Sequence, residues 1–175
     1  FEGYCTDVFF DEALRFIQSC AGSGAAGTAY PNAGGDSNAG AEGPGAASTA
    51  SASPPFFCVI ATNAPHSPFN VPAKYRDLYT AHTESEAYAR FLGMCTNIDE
   101  NFGRLRARLA ELGIEDDTIV MFMSDNGQTG VGDETAQMYN AGMRGLKGSP
   151  YEGGHRIPVF LRWPGGGIAE GRDVD

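Results

Sequence analysis

Apolar residues along this chain gather into a few periodic blocks, separated by stretches that cannot pack. Phe9, Ala13, Phe16 and Ile17 recur at the spacing of one helical face, which predicts a helix over 7–18 capped by Thr6 or Asp7. Residues 56–62 are short and continuously apolar, the pattern of a strand buried on both faces of a parallel sheet. Tyr88, Leu92, Cys95, Ile98, Phe102, Leu105, Leu109 and Leu112 then form one long stripe. Thr83-x-x-Glu86 reads as the capping box of that helix, and Gly113 ends it. Residues 118–123 and 157–163 predict two further strands, with Pro158 marking a strand start or an edge. Strand, helix, strand with short connections makes a β-α-β unit, so the expected fold class is α/β with a parallel, right-handed crossover.

The intervening stretches differ in kind. Residues 63–82 read as a loop marked by Pro65, Pro68 and Pro72. Residues 21–55 hold no Val, Ile, Leu, Met or Phe and only two charges, Asp36 and Glu42. Such a segment buries too little apolar area to offset the ordering of its backbone, so it is expected to be a disordered insertion or a gene-model artefact. The expected organisation is a helical segment at 1–20, this insertion at 21–55, and the main body at 56–175.

Composition narrows the functional classes. The 175 residues fit one domain or a large piece of one, and both ends read as cuts through a longer protein. A net charge of −10 argues against nucleic acid as a partner, because phosphate backbones select basic surfaces. Arg104, Arg106 and Arg108 fall on the solvated faces of the long helix and make no basic site. No apolar run approaches the ~20 residues needed to span a bilayer. Cys5, Cys20, Cys58 and Cys95 lack metal-ligand spacing; Cys58 and Cys95, in apolar surroundings, read as buried free thiols.

Candidate chemistry begins where the run 119–123 ends in Asp125-Asn126-Gly127. The stretch from Asn140 to Pro158 follows, too polar and too broken by glycine and proline for a core, and it presents cations. A backbone-shaped loop of that kind suits an oxyanion ligand. Ligands of open α/β sheets bind beyond the carboxyl ends of the strands. His66 lies four residues after Thr62 and Asp125 two after Met123, while Lys147 can fold back over the same rim. Taken singly, each has a plainer reading: a turn triplet, a loop histidine, a solvated lysine.

Asp125-Asn126-Gly127, Lys147-Gly-Ser-Pro-Tyr-Glu-Gly-Gly-His-Arg-Ile-Pro158 and Ala64-Pro65-His66-Ser67-Pro68-Phe69 together resemble the formylglycine-dependent sulfatases. These are enzymes of the arylsulfatase type within the alkaline phosphatase superfamily. Residues 3–17 resemble a weaker fourth family phrase, so the resemblance covers 1–20 and 56–175 in the family's order. It implies an alkaline-phosphatase-like sandwich, with a largely parallel central sheet and flanking helices. It also implies hydrolysis of a small-molecule or glycan sulfate ester.

By the same resemblance, Asp125 and Asn126 ligate Ca²⁺ or Mg²⁺, whose preference for hard oxygen donors they meet. Lys147 holds sulfate oxygens, and His66 contacts the sulfate and the leaving-group oxygen. Glu152 and Arg156 are expected as a buried pair that holds the loop. The family makes its formylglycine nucleophile from Cys or Ser in a C/S-x-P-x-R phrase, a context that none of the four cysteines has. That nucleophile and the remaining metal ligands are therefore expected upstream. A phosphatase or phosphonate hydrolase of the same superfamily, or a non-catalytic homologue, are the alternatives. Family tendency points to a secreted, periplasmic or lysosomal compartment, and oligomeric state is open.

Overall fold

The computed structural model describes residues 2–22, 55–131, 139–168 and 171, so most of the expected insertion lies outside the described residues. In chain order the elements are α1 (Cys5–Gly22), α2 (Ala73–Arg76), α3 (Glu86–Glu111), β1 (Val120–Met123), α4 (Glu152–His155) and β2 (Val159–Arg162). The α/β class is as expected.

The helix α3 is the spine. Its cap is Ser85, whose hydroxyl accepts from the Tyr88 N–H at 3.2 Å, while Thr83 Oγ1 instead accepts from the Ser85 N–H at 3.1 Å. Glu86 is thereby displaced from the capping-box position into the first turn, where Arg90 binds it at 2.6 Å. That hydrogen bond, with the charge of Arg90 and then of Arg76, holds the Glu86 carboxyl below the usual range. At the other end Gly113 adopts φ +68°, and the N–H groups of Gly113 and Ile114 return to Ala110 O and Leu109 O at 2.9 and 3.1 Å. This is the left-handed glycine stop that the sequence promised.

The helix α1 packs along α3 through Phe10, Ile17, Leu105 and Leu109. Phe16, Phe56, Ile60, Phe102, Ile114 and Val120 surround that centre. The helix begins two residues before the expected start and turns a different face inward. Thr6, Phe10, Ala13 and Ile17 are buried, whereas Phe9 remains 36 % exposed. Asp7 fixes the rotation. Rather than capping, its Oδ1 accepts from the side-chain amides of Asn97 and Asn101, both at 2.7 Å. Both asparagines are fully buried on α3, so this polar seam sets one register between the helices. Arg104 extends it, binding Asn101 Oδ1 and Asp11.

The expected loop 63–82 contains α2, which the prolines concealed. Gly93 admits it: a Cβ there would stand 2.9 Å from the carbonyl carbon of Tyr75. Tyr75 is buried against α3 and donates to Glu100 at 2.6 Å.

Strand pairing departs from expectation. Among the described residues the ladder joins β1 to β2 antiparallel, with Val120 opposite Arg162 and Met123 opposite Val159. The reason is local. The loop leaving β1 and the loop entering β2 are pinned together, so the second strand must run back along the first. Residues 56–62 are extended but join no ladder, and burial alternates instead of covering both faces. Phe57 and Val59 are 86 % and 71 % exposed, while Phe56 and Ile60 pack against the core and Cys58 is half-buried. The parallel crossover is thus not seen among the described residues.

Candidate active site

Two of the three sequence phrases meet directly. Asp125, Asn126 and Gly127 leave the end of β1, and Ser124 Oγ donates to the Asn126 carbonyl at 2.6 Å, tightening the bend. The Gly127 N–H then donates to Gly154 O at 3.0 Å, and the Lys147 N–H to Gln128 O at 2.8 Å. The approach requires glycine. A Cβ on Gly127 would fall against the Gly153 carbonyl, 2.8 Å from its carbon and 3.0 Å from that of Gly154. Gly153 and Gly154 are themselves buried. The loop that carries the aspartate and the loop that carries the lysine are therefore held together by backbone hydrogen bonds and close glycine contacts.

The lysine loop is shaped by residues that sequence reading passed over. Asn140 Nδ2 donates to Met143 O at 3.1 Å and to Gly145 O at 2.9 Å. The Gly153 N–H donates to Arg144 O at 2.8 Å, and the Arg144 guanidinium lies 3.6 Å from the centroid of the Tyr151 ring. An asparagine two residues before a glycine of positive φ, as Asn140 stands to Gly142, is the signal that could have found this turn. Lys147 sits in the middle of this frame with its side chain exposed. Glu152 and Arg156 differ from expectation. They are 3.6 Å apart but 63 % and 65 % exposed, because residues 152–155 form the short turn α4 on the surface. An exposed pair of that kind contributes little, and the glycine backbone holds the loop instead.

His66 stands in the third phrase, exposed, between the cis peptide bonds Ala64–Pro65 and Ser67–Pro68. Its N–H is bound by Asn63 O at 2.9 Å, and its ring Nδ1 donates to Ser67 O at 2.8 Å. That bond places the proton of the neutral ring on Nδ1 and leaves Nε2 as its acceptor nitrogen. No hydrogen bond links His66 to Asp125, Asn126 or Lys147 among the described residues. The histidine is poised on its own loop, whereas the other two phrases are joined.

Asp125 and Asn126 suit a hard cation. The carboxylate is exposed, and Asn126 directs its Nδ2 to Gly127 O at 3.1 Å, a bond that does not use the amide oxygen. Two oxygens are part of a shell of six to eight. Among the described residues no group of three His, Cys, Asp or Glu side chains could complete it. An open cleft of ≈ 330 Å³ lies elsewhere, lined by Arg76, Thr80, Thr83, Glu84, Glu86 and Ala89. Arg76 and Glu86 in it are paired at 3.8 Å, and it holds none of the four site residues.

The loop with the oxygen pair and the loop with the lysine are thus joined at one strand end. The family model described as Sulfatase matches residues 44–171, and the chain belongs to the sulfatase family. It is 32 % identical over 111 residues to the uncharacterised sulfatase YdeN of Escherichia coli K12, covering 63 % of this chain and 19 % of that protein. It is 31 % identical over 146 residues to an arylsulfatase of Clostridium perfringens, covering 65 % of this chain and 28 % of that one. The crystal structure of Ps i-CgsB in complex with k-i-k-neocarrahexaose superposes with a TM-score of 0.67 at 25 % identity, over 94 % of this chain and 29 % of that one. The chain thus spans less than a third of the length of these relatives.

Proposed function

We propose that the protein hydrolyses organic sulfate esters, with Asp125 and Asn126 ligating a divalent cation and Lys147 and His66 serving the sulfate. The observation that carries this reading is the backbone seam between the two loops, Gly127 to Gly154 and Lys147 to Gln128. It joins the loop that carries Lys147 to the loop that carries Asp125 and Asn126, which supports a shared site. Bound there, Ca²⁺ or Mg²⁺ would supply a Lewis acid for the ester oxygens. The Lys147 ammonium binds and orients the sulfate. His66, with its Nδ1–H donating to Ser67 O, presents Nε2 to the sulfate and the departing oxygen.

The nucleophile in this reading is a formylglycine supplied by residues upstream of the chain, together with the further metal ligands. The complete domain is an alkaline-phosphatase-like sandwich with a largely parallel central sheet, to which the β1–β2 pair adds an antiparallel portion. A small-molecule or glycan sulfate ester is the substrate class, and the oligosaccharide complex of Ps i-CgsB supports the glycan side.

The test is release of nitrophenol from its sulfate ester by the protein carrying its upstream region, with and without chelator. Lys147→Ala and His66→Ala should each lower kcat about 10²-fold or more, the scale for removing one stabiliser of developing charge. Full turnover by both variants, or in the presence of excess chelator, would remove the proposal.

A further inference from the structure

Arg144 stands three residues before Lys147, on the loop that meets the aspartate loop. Every other arginine among the described residues is paired with a carboxylate. Arg144 has no carboxylate partner there, although the chain carries a net charge of −10. Its exposed guanidinium rests instead on the Tyr151 ring, 3.6 Å from the centroid. Lys147, also exposed, is likewise without a carboxylate partner among the described residues.

The arginine is held in place from both ends. Its carbonyl accepts from the Gly153 N–H at 2.8 Å, and the Gly145 carbonyl accepts from Asn140 Nδ2 at 2.9 Å, so the backbone is pinned. Gly153 adjoins Gly154, which receives the Gly127 N–H, and this series of contacts ties Arg144 to the end of β1. The Tyr151 ring restrains the head of a side chain that is otherwise rich in rotamers. A guanidinium is a planar fork of N–H donors that matches two oxygens of a sulfate or carboxylate. Lys147 follows three residues on, so the two Cα atoms are at most about 11 Å apart. Two exposed cations at that separation on one loop fit a ligand with two oxyanions.

We propose that Arg144, oriented by Tyr151, binds a second oxyanion of the substrate, a sulfate or carboxylate on the leaving-group side of the ester that Lys147 holds. This rests on the sulfate-ester reading above and narrows it to polyanionic esters, such as sugars that carry a further sulfate or a carboxylate. Arginines elsewhere on this acidic chain are neutralised by its own carboxylates, whereas the one on the lysine loop is open to an external anion. Arg144 sets specificity and takes no part in bond breaking. Tyr151 acts through it, as a positioning residue.

The experiment titrates the protein carrying its upstream region, by calorimetry, with propanesulfonate and with two series of graded length, α,ω-alkanedisulfonates and sulfoalkanoates. None of these is a sulfate ester, so none is consumed. The best-fitting member of at least one series should bind about tenfold tighter than propanesulfonate, the scale of one hydrogen bond to a charged group. The series that does so identifies the second oxyanion as sulfate-like or carboxylate. Arg144→Gln should abolish the advantage and leave propanesulfonate binding unchanged. Arg144→Lys, which keeps the charge without the fork, should retain part of it, and Tyr151→Phe, which keeps the ring, nearly all. The proposal is overturned if neither series outbinds propanesulfonate, if the advantage survives Arg144→Gln, or if that change weakens every ligand equally, the mark of a brace for the loop. Turnover of nitrophenyl sulfate tests the hydrolase reading apart from this. An advantage without turnover supports the anion subsite and removes the hydrolase; turnover without an advantage removes the subsite alone.

Discussion

Replacing Gly127 by alanine tests the backbone seam that joins the two site loops. The added methyl would press on the Gly153 carbonyl, 2.8 Å from its carbon and 3.0 Å from that of Gly154, where ordinary contact begins at 3.4 Å. Every obstructing atom is backbone, so no side chain can swing away. The loops must part by roughly 1 Å, and the Gly127–Gly154 hydrogen bond lengthens with them. Misplacement on that scale, away from the bond being broken, can cost about 10²-fold in rate. The strained contact itself should destabilise the fold by about 1–3 kcal/mol.

The assay is kcat and KM for nitrophenyl sulfate on the protein carrying its upstream region, alongside thermal unfolding by circular dichroism. Gly103→Ala is the control. That glycine lies exposed in α3 with open space around it, so alanine there should stabilise by ~0.5–1 kcal/mol and leave turnover unchanged. Wild-type kcat in Gly127→Ala, with an unchanged melting temperature, would refute the view that the seam sets the lysine-to-cation spacing.

Other outcomes follow from the interior. Asp7→Ala removes the acceptor shared by two buried amides, of which Asn101 keeps its bond to Asn97 O, and should cost about 1–3 kcal/mol in urea unfolding, with Asp7→Asn losing less. A loss below roughly 0.5 kcal/mol would show that the α1–α3 seam is not built on that carboxylate. The Cys95 thiol, raised by burial from 9.0 to about 11, favours the folded state while it remains protonated. Its contribution should be complete below pH 9 and fade as pH rises toward 11, because the unfolded thiol ionises first. Alkylation of Cys95 at pH 8 as fast as that of the exposed Cys5 would contradict this.

Legibility in the sequence followed the range of the forces involved. The stripe on α3 and the Gly113 stop could be read because both depend on neighbours three to five residues away. Ser85 displaced Thr83 as the cap because two hydroxyls in one turn compete for the same N–H groups, and only geometry decides between them. The rotation of α1, burying Phe10 rather than Phe9, depends on Asn97 and Asn101, ninety residues on and more, which no local period reveals. The strands at 118–123 and 157–163 were visible as apolar runs. Their antiparallel pairing was not, because it follows from Gly127 meeting Gly154 across a long loop. The sulfatase phrases carried Asp125, Asn126, His66 and Lys147 by type and order. The frame around Lys147, made by Asn140, Arg144 and Tyr151, is a matter of packing that the phrases do not spell out.

Because the seam between the site loops is written in peptide groups, it is indifferent to most side chains beside it. Thr129 and Pro150 are exposed on the same two loops and take no part in the backbone hydrogen bonds that close them. Their identities can drift, or be redesigned, without moving the lysine relative to the aspartate. A loop pair of this construction separates the part that must stay fixed from the part that is free to meet different leaving groups. Libraries confined to those two positions should therefore retain folded proteins at high frequency.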